Sequence, residues 1–543
     1  MATKKLLLAA LSGGLLTVAF PSANLWMVAW VGLVPLLWAL RGARPKEALV
    51  LGWVAGLVHY TTVLFWVMNT MTRYGKLSWP ASLGVLVLLA AYLACYVALF
   101  AWAVVVVSGG QRAVRWLIAP PAWVVAELAR AHALSGFPWA NLGYSQFAVL
   151  PIIQMADITG VYGVAFLIVL VNATAAELLE NLAQVGRIGP ARAEGVLGNG
   201  RLMLVASLAV GLALAYGWSV LKRPARTIAP ATPTLRFALL QGNIPQDLKW
   251  DAANQQETIN LYTVLASEVN RGPAPPQLIV WPETAAPFYF KEAGPMLDQL
   301  RALVRRTKAN HLVGAPAYEK LDGQTAYYNR AYLLGPDGGT LDHYDKTHLV
   351  PFGEYVPLSS LLFFVSRMAE GIGDFYAGDR YTVFAIPQGR FGALICFEVI
   401  FPNLVRQFVK GGAQFLVNIT NDAWFGRSAA SAQHLSMAVF RAVENRVALI
   451  RAANTGITAV VDPFGRIRGA TELFVRTHVT GTIPVVAEPG TLYTSLGDLF
   501  AYACLGALLL AGALGRRAAG PARRPTVITS DLSLEEYDWK EPD

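Results

Sequence analysis

Long apolar runs occupy both ends of the chain, while the centre alternates short apolar segments with polar ones. Eight apolar runs stand out, at residues 6–21, 24–40, 48–69, 82–107, 116–130, 151–178, 202–221 and 494–514. Most approach the roughly 20 residues that span a bilayer as a helix, a form that satisfies its own backbone hydrogen bonds in hydrocarbon. The first run follows Lys4 and Lys5 as a secretory leader would, but a second begins within a few residues. A retained helical hairpin is therefore expected.

The pattern changes after residue 221. Pro224, Pro230 and Pro233 mark a linker. Beyond it, strands are expected at 235–243, 277–282, 311–318, 331–334, 382–386, 391–396, 414–419 and 458–461, with helices near 255–270, 296–308, 403–409 and 431–447. Such alternation predicts an α/β layered domain, and about 270 residues suffice for its own core. The expected organisation is a transmembrane domain of about seven helices over 1–221, a catalytic-type α/β domain over 222–493, a final transmembrane helix over 494–514 and a cytoplasmic tail over 515–543. The acidic stretch 530–543 reads as disordered.

Composition sharpens this picture. With 55% hydrophobic and 15% charged residues in 543, the chain is too apolar for an ordinary soluble protein. A net charge of +9 raises the possibility of nucleic acid, but the basic residues cluster in short loops between apolar runs. Counting loops alternately puts Lys4, Lys5, Arg41, Arg44, Lys46, Arg112, Arg115, Arg187, Arg192, Arg201, Arg516, Arg517, Arg523 and Arg524 on one side. The opposite short loops carry little beyond Arg73, Lys76 and Arg130. The positive-inside rule then places both termini in the cytoplasm and residues 222–493 outside it. The partner is a membrane, not nucleic acid.

Only three cysteines occur, and Cys95 and Cys504 lie inside apolar runs. No structural disulfide is expected. Cys396 alone sits in water-compatible sequence, closing the strand-like run Phe391-Gly-Ala-Leu-Ile-Cys396 and preceding Phe397-Glu398, as a nucleophile at a strand end would. By itself it reads equally as an inert buried thiol. Glu283 ends Leu278-Ile-Val-Trp-Pro-Glu283, where a turn carboxylate or a desolvated general base both fit. Lys346, in Tyr344-Asp-Lys-Thr-His-Leu-Val-Pro-Phe-Gly-Glu354, has apolar surroundings for a surface lysine. Glu354 and Glu398 have plain readings as ion-pair partners. The seven histidines are scattered without metal-ligand spacing, so neither metal nor cofactor is expected.

The order Glu283, Lys346, Cys396 resembles the Glu-Lys-Cys triad of the nitrilase, or carbon–nitrogen hydrolase, superfamily. Further strings resemble its apolipoprotein N-acyltransferase family: Gly136-Phe-Pro-Trp139 with Gly143-Tyr-Ser-Gln146, Gln241-Gly-Asn-Ile-Pro-Gln246 with Lys249-Trp250, His348-Leu-Val-Pro-Phe-Gly-Glu354, and Asn421-Asp-Ala-Trp-Phe-Gly426. One departure is Phe397, where some relatives carry tyrosine; a backbone N–H there is unaffected.

The resemblance implies an extracytoplasmic nitrilase-like αββα sandwich and a bacterial inner-membrane, multi-pass enzyme. In that reading the Cys396 thiolate takes the sn-1 acyl chain of a phospholipid, with phosphatidylethanolamine the expected donor. Glu283 is the base, and Lys346 with the N–H after Cys396 stabilises the oxyanion. The acyl chain then passes to the α-amino group of an S-diacylglyceryl cysteine on an apolipoprotein. Glu354, Glu398 and Phe397 become supporting residues, and Trp139, Tyr144, Trp250 and Trp424 possible substrate contacts. For Trp139 and Tyr144, anchoring at the membrane interface is the competing role. The apolar stretch 358–368 reads as a core helix or as an arm dipping into the membrane. A tethered amidase acting on a small carbon–nitrogen substrate, and a non-enzymatic transporter with a degenerate outer domain, are the alternatives.

Overall fold

The computed structural model describes residues 2–109, 112–188, 194–222, 233–246, 252–292, 294–321, 323–356 and 375–518. Trp250, the stretch 358–368, most of the proline linker and the tail beyond 518 lie outside them.

Among the described residues, twelve strands form the α/β part: β1 Thr234–Gln241, β2 Leu278–Val280, β3 Asn310–Leu321, β4 Gln324–Leu334, β5 Thr340–Asp345, β6 Val383–Ile386, β7 Gly389–Ile395, β8 Phe415–Thr420, β9 Ala448–Ala453, β10 Ala459–Val461, β11 Ile467–Ala470 and β12 Thr477–Pro484. They make two six-stranded sheets, ordered β12-β1-β2-β3-β4-β5 and β11-β10-β9-β8-β7-β6. At the heart of each, three neighbours run parallel, β1-β2-β3 and β7-β8-β9. Alternation along a strand sends side chains to opposite faces. Leu235, Phe237 and Leu239 of β1 thus face the second sheet's Phe391, Ala393 and Phe415, in one apolar core. Ala238 and Leu240 face outward, where helices Ala252–Asn270 and Pro295–Thr307 cover them with Ile259, Tyr262, Leu300 and Val304. Helices Pro402–Lys410 and Ala430–Asn445 cover the second sheet, completing the αββα sandwich.

The expected strands and helices of this part all occur, with β5, β9, β11 and β12 in addition. β9 carries the buried Arg451 within Ala-Leu-Ile-Arg-Ala-Ala, so neither alternation nor β-branched enrichment marks it. β5 and β12 carry polar, partly exposed residues at sheet edges.

Among the described residues, three helices are long and apolar enough to cross a membrane: Trp79–Val107, Val161–Ala183 and Gly200–Lys222. A fourth candidate is Pro45–Val63 followed by Val67–Tyr74, bent by 58°. The run at 24–40 consists of a 3-10 turn, Trp26–Trp30, and a short helix, Val34–Ala39. Small residues let two helices meet closely: a Cβ added to Gly52 or Gly56 would lie 2.5 Å from the Val97 carbonyl or 2.7 Å from Ala94 Cα. In helix Arg112–His132 the polar residues organise the loop that follows. Glu127 accepts hydrogen bonds from Trp123 Nε1 and the Leu142 N–H, and Arg130 donates to Phe137 O, Trp139 O and Asn141 Oδ1.

The α/β part docks on the helices through buried charges. Arg441, fully enclosed, donates to Glu444 Oε1 at 2.8 Å and to the Tyr144 hydroxyl at 3.1 Å. Glu444 in turn accepts the Val161 N–H at the start of a helix, and Arg446 donates to Asp157 at 2.7 Å. Removing one partner of a buried pair strands the other charge, at a cost of about 3–5 kcal/mol. Arg441→Ala should therefore lower the thermal unfolding midpoint in detergent strongly, whereas Arg441→Met with Glu444→Leu should recover most of the loss. A midpoint unchanged in Arg441→Ala would contradict this docking role.

Candidate active site

Three strand ends bring Glu283, Lys346 and Cys396 together. Pro282 stops β2 because it has no N–H to donate, and Glu283 follows it. A Cβ added to Gly314 of β3 would stand 2.6 Å from Pro282 O and 2.9 Å from Glu283 Cα, so only glycine allows this approach. Lys346 directly follows β5 and Cys396 directly follows β7. Cys396 adopts φ +53°, in the left-handed region that non-glycine residues seldom occupy, and β7 there turns sharply into the 3-10 turn Cys396–Ile400.

The charges are held inside the protein. Lys346 is 1% exposed, and its Nζ lies 2.8 Å from Glu354 Oε2 and 3.9 Å from Glu283 Oε1. Asn329 Nδ2 donates to Glu283 Oε1 at 2.8 Å and to Glu354 Oε1 at 2.9 Å. The Val350 N–H donates to Glu354 Oε2, and the Asn421 N–H donates to Glu283 Oε2 at 2.9 Å. Burial alone would lower the Lys346 pKa, but Glu354, then Glu283, outweigh it and hold the ammonium above its ordinary value. Burial, reinforced by Glu283, pushes the Cys396 thiol up to about 12, with Lys346 opposing. A neutral thiol next to a carboxylate suits proton transfer to Glu283 during attack rather than a standing thiolate.

Glu398 sits elsewhere in the construction. Its Oε1 accepts from the Tyr344 hydroxyl, the Thr347 N–H and hydroxyl and the His348 N–H, and its Oε2 accepts the Ile395 N–H. One fully buried carboxylate thereby ties the Lys346 segment to the Cys396 strand. Burial keeps its pKa raised despite these donors. Phe397 packs its ring near Phe401, His348 and Phe137.

Beneath Cys396 lies a second buried network. Arg451 donates to Asp422 at 2.8 Å and also to Asn418. Asn418 Nδ2 donates to Leu394 O at 3.1 Å, and the Thr420 hydroxyl donates to Asp422 at 3.0 Å. Burial would raise the Asp422 pKa, but Arg451 outweighs it and holds the carboxyl well below the usual range.

Trp139 is enclosed by protein: its Nε1 donates to Gln433 Oε1 at 2.8 Å, and its ring packs with Trp66, Phe137 and His434. Through Phe137 this aromatic group reaches Phe397. Tyr144 lies apart, buried against Arg441 and Phe440. Trp424 is 38% exposed, with its ring edge-on to Tyr74. Trp250 lies outside the described residues. Asn329 and Arg451 are absent from the expected set. The sole cue to either is a polar side chain in an otherwise apolar or aromatic strand. Among the described residues, no group of three His, Cys, Asp or Glu side chains is arranged to hold a metal ion.

A two-sheet sandwich with a carboxylate, an ammonium and a thiol at its strand ends defines a carbon–nitrogen hydrolase domain, and residues 236–487 match the family model described as "Carbon-nitrogen hydrolase". Residues 12–174 match "Apolipoprotein N-acyltransferase N-terminal domain". The chain belongs to the apolipoprotein N-acyltransferase family: it is 45% identical to the Geobacter metallireducens apolipoprotein N-acyltransferase, over 94% of this chain and 95% of that one. The Methylococcus capsulatus apolipoprotein N-acyltransferase is 36% identical over 91% of this chain and 93% of its own length. Among solved structures, Saccharomyces cerevisiae Nit3, of the nitrilase superfamily, aligns at 19% identity with a TM-score of 0.37, covering 47% of this chain and 92% of that one. The chain is thus a membrane-associated acyltransferase of lipoprotein biosynthesis.

Two outcomes test the geometry. Because the Cys396 pKa is raised, the thiolate fraction at neutral pH is smaller than for an ordinary cysteine of about 8.5. Iodoacetamide alkylation of Cys396, followed by mass spectrometry in a Glu283→Gln background, should keep rising beyond pH 10; an inflection at or below pH 8.5 contradicts the assignment. Glu398→Ala leaves several buried donors without an acceptor, each costing about 1–3 kcal/mol. Its unfolding midpoint should fall well below that of Phe397→Leu, and equal midpoints would show that the carboxylate ties nothing.

Proposed function

We propose that the enzyme transfers the sn-1 acyl chain of a phospholipid, with phosphatidylethanolamine as the donor, through a Cys396 thioester to the α-amino group of an S-diacylglyceryl cysteine. In the first half reaction Glu283 accepts the thiol proton as sulfur attacks the ester carbonyl. Lys346, fixed by Glu354, stabilises the tetrahedral oxyanion, and its collapse expels the lysophospholipid alkoxide, which takes the proton back from Glu283. In the second, Glu283 accepts a proton from the amine attacking the thioester, and the thiol is regenerated as the amide forms. No water and no cofactor enters either half.

The observation that carries this reading is the buried Lys346 set between Glu354 and Glu283 with Cys396 beside them, in a chain whose relatives are apolipoprotein N-acyltransferases. The location that goes with it is the bacterial inner membrane, spanned several times, with residues 222–493 as the catalytic domain on the periplasmic side and 1–221 and 494–514 in the bilayer. The alternation of basic loops along the sequence supports that orientation.

Three measurements follow. With phosphatidylethanolamine labelled in one chain and a diacylglyceryl peptide acceptor, sn-1 label should appear in the amide product and sn-2 label should remain in the lysophospholipid; the reverse overturns the regiochemistry. Glu283→Gln should slow both half reactions by about 10²–10⁴, and Lys346→Arg, which keeps charge but misplaces it, by about 10²–10³, each with an unchanged unfolding midpoint. Near-normal rates in either would mean that the roles are wrongly assigned. In a thiol-free background, a cysteine at Asp337 should react with an impermeant maleimide outside spheroplasts while one at Lys46 should not; labelling of Lys46 with protection of Asp337 would put the α/β domain in the cytoplasm.

A further inference from the structure

The bend in the helical pair Pro45–Val63 and Val67–Tyr74 coincides with its contact to the α/β domain. A break leaves helix-terminal carbonyls without intrahelical partners, and the domain supplies one: Gln433 Nε2 donates to Val63 O at 3.2 Å and to Pro21 O at 2.9 Å. On the far side of the break, a π-helical turn, Thr70–Tyr74, presents side chains to the domain. Asn69 Nδ2 and the Thr70 hydroxyl both donate to Trp424 O, at 3.1 and 2.9 Å, and the Tyr74 hydroxyl donates to Ala423 O at 3.1 Å. The Tyr74 ring packs against Trp424 with 4.9 Å between centroids.

The carbonyls so gripped belong to the 3-10 turn Asp422–Phe425, directly after Asn421. Asn421 gives its backbone N–H to Glu283 Oε2, and its side chain is engaged with Gln246 and Asn454. Hydrogen bonds joined through the backbone of residues 421–424 therefore link a bend in a membrane helix to the Glu283 carboxylate. Nothing in folding of the sandwich requires three separate donors from the membrane part to converge on two adjacent carbonyls. Their effect is to fix the position of the turn, and hence of the N–H that orients Glu283.

We propose that Asn69, Thr70 and Tyr74 are positioning residues for the Glu283 carboxylate, so that the broken membrane helix sets the geometry of the base. The inference rests on the reading of Glu283 as the base.

The test uses the full chain in phosphatidylethanolamine proteoliposomes and the double variant Thr70→Val, Tyr74→Phe, which removes two donors while keeping both shapes. Its kcat for lysophospholipid release should fall roughly tenfold, with KM within about twofold, while the loss of two hydrogen bonds lowers the unfolding midpoint only slightly and leaves the protein fully folded at the assay temperature. Iodoacetamide alkylation of Cys396 at neutral pH should fall in parallel, and Thr70→Ser, which keeps the donor, should retain full activity. Unchanged kcat and alkylation overturn the proposal. So does a fall in activity that tracks a lower unfolding midpoint and is shared by Thr70→Ser. Glu283→Gln separates the two readings. If it keeps acylation, the base is wrongly assigned; if it is inactive while the double variant behaves as wild type, the base stands and the positioning role fails.

Discussion

A lysine ammonium sealed from water is the constraint around which the site is arranged. Lys346 is 1% exposed, and a buried charge of that kind is tolerated only when paired and hydrogen-bonded. Glu354 supplies the close partner and Glu283 the more distant one, while Asn329 donates to both carboxylates so that neither is left to repel the other freely. The consequence is an asymmetric carboxylate pair: Glu354 bound to the cation, and Glu283, at 3.9 Å from it, oriented by Asn329 and Asn421 beside a thiol. Under the proposed mechanism this asymmetry assigns the charge-holding task to one glutamate and the proton-moving task to the other.

That arrangement depends on long-range ties more than on local sequence. Glu398 joins the Lys346 segment to the Cys396 strand through five backbone and hydroxyl donors, and the Arg451–Asp422 pair supports the strand end from below. Arg441 and Glu444 then fix the sandwich to the membrane helices. Each tie includes at least one partner tens or hundreds of residues away, so each is worth little until the others are formed.

Much of this was legible in the sequence, for identifiable reasons. Cys396 and Glu283 stood out as polar residues closing apolar strand-like runs, Lys346 for the apolar stretch beside it, and the two other thiols lay in apolar runs. The parallel strands β1, β2, β7 and β8 were legible from their continuous apolar runs. β9 was not, since an alanine-rich run with a central arginine has no strand signature, and the arginine is explicable only once Asp422 and Asn418 are seen around it. Asn329 was equally silent: in Tyr-Tyr-Asn-Arg it resembles a surface position, and its value comes from two glutamates 46 and 25 residues away. The membrane part was legible as eight apolar runs but not in how each run folds: among the described residues three helices, or four with the bent pair, are long and apolar enough to cross a membrane. The bend after Val63 contains no proline, and its carbonyl is satisfied by Gln433, which no local rule connects to it.

In the proposed mechanism Cys396 carries the acyl chain between two lipid substrates. Intact-mass analysis of the purified chain after incubation with phosphatidylethanolamine and no acceptor tests it most directly. The account predicts a mass gain of one acyl group, localised by proteolysis to Cys396 and discharged on adding a diacylglyceryl peptide. Active enzyme with no acyl adduct, or with the adduct on Cys95 or Cys504, would contradict it.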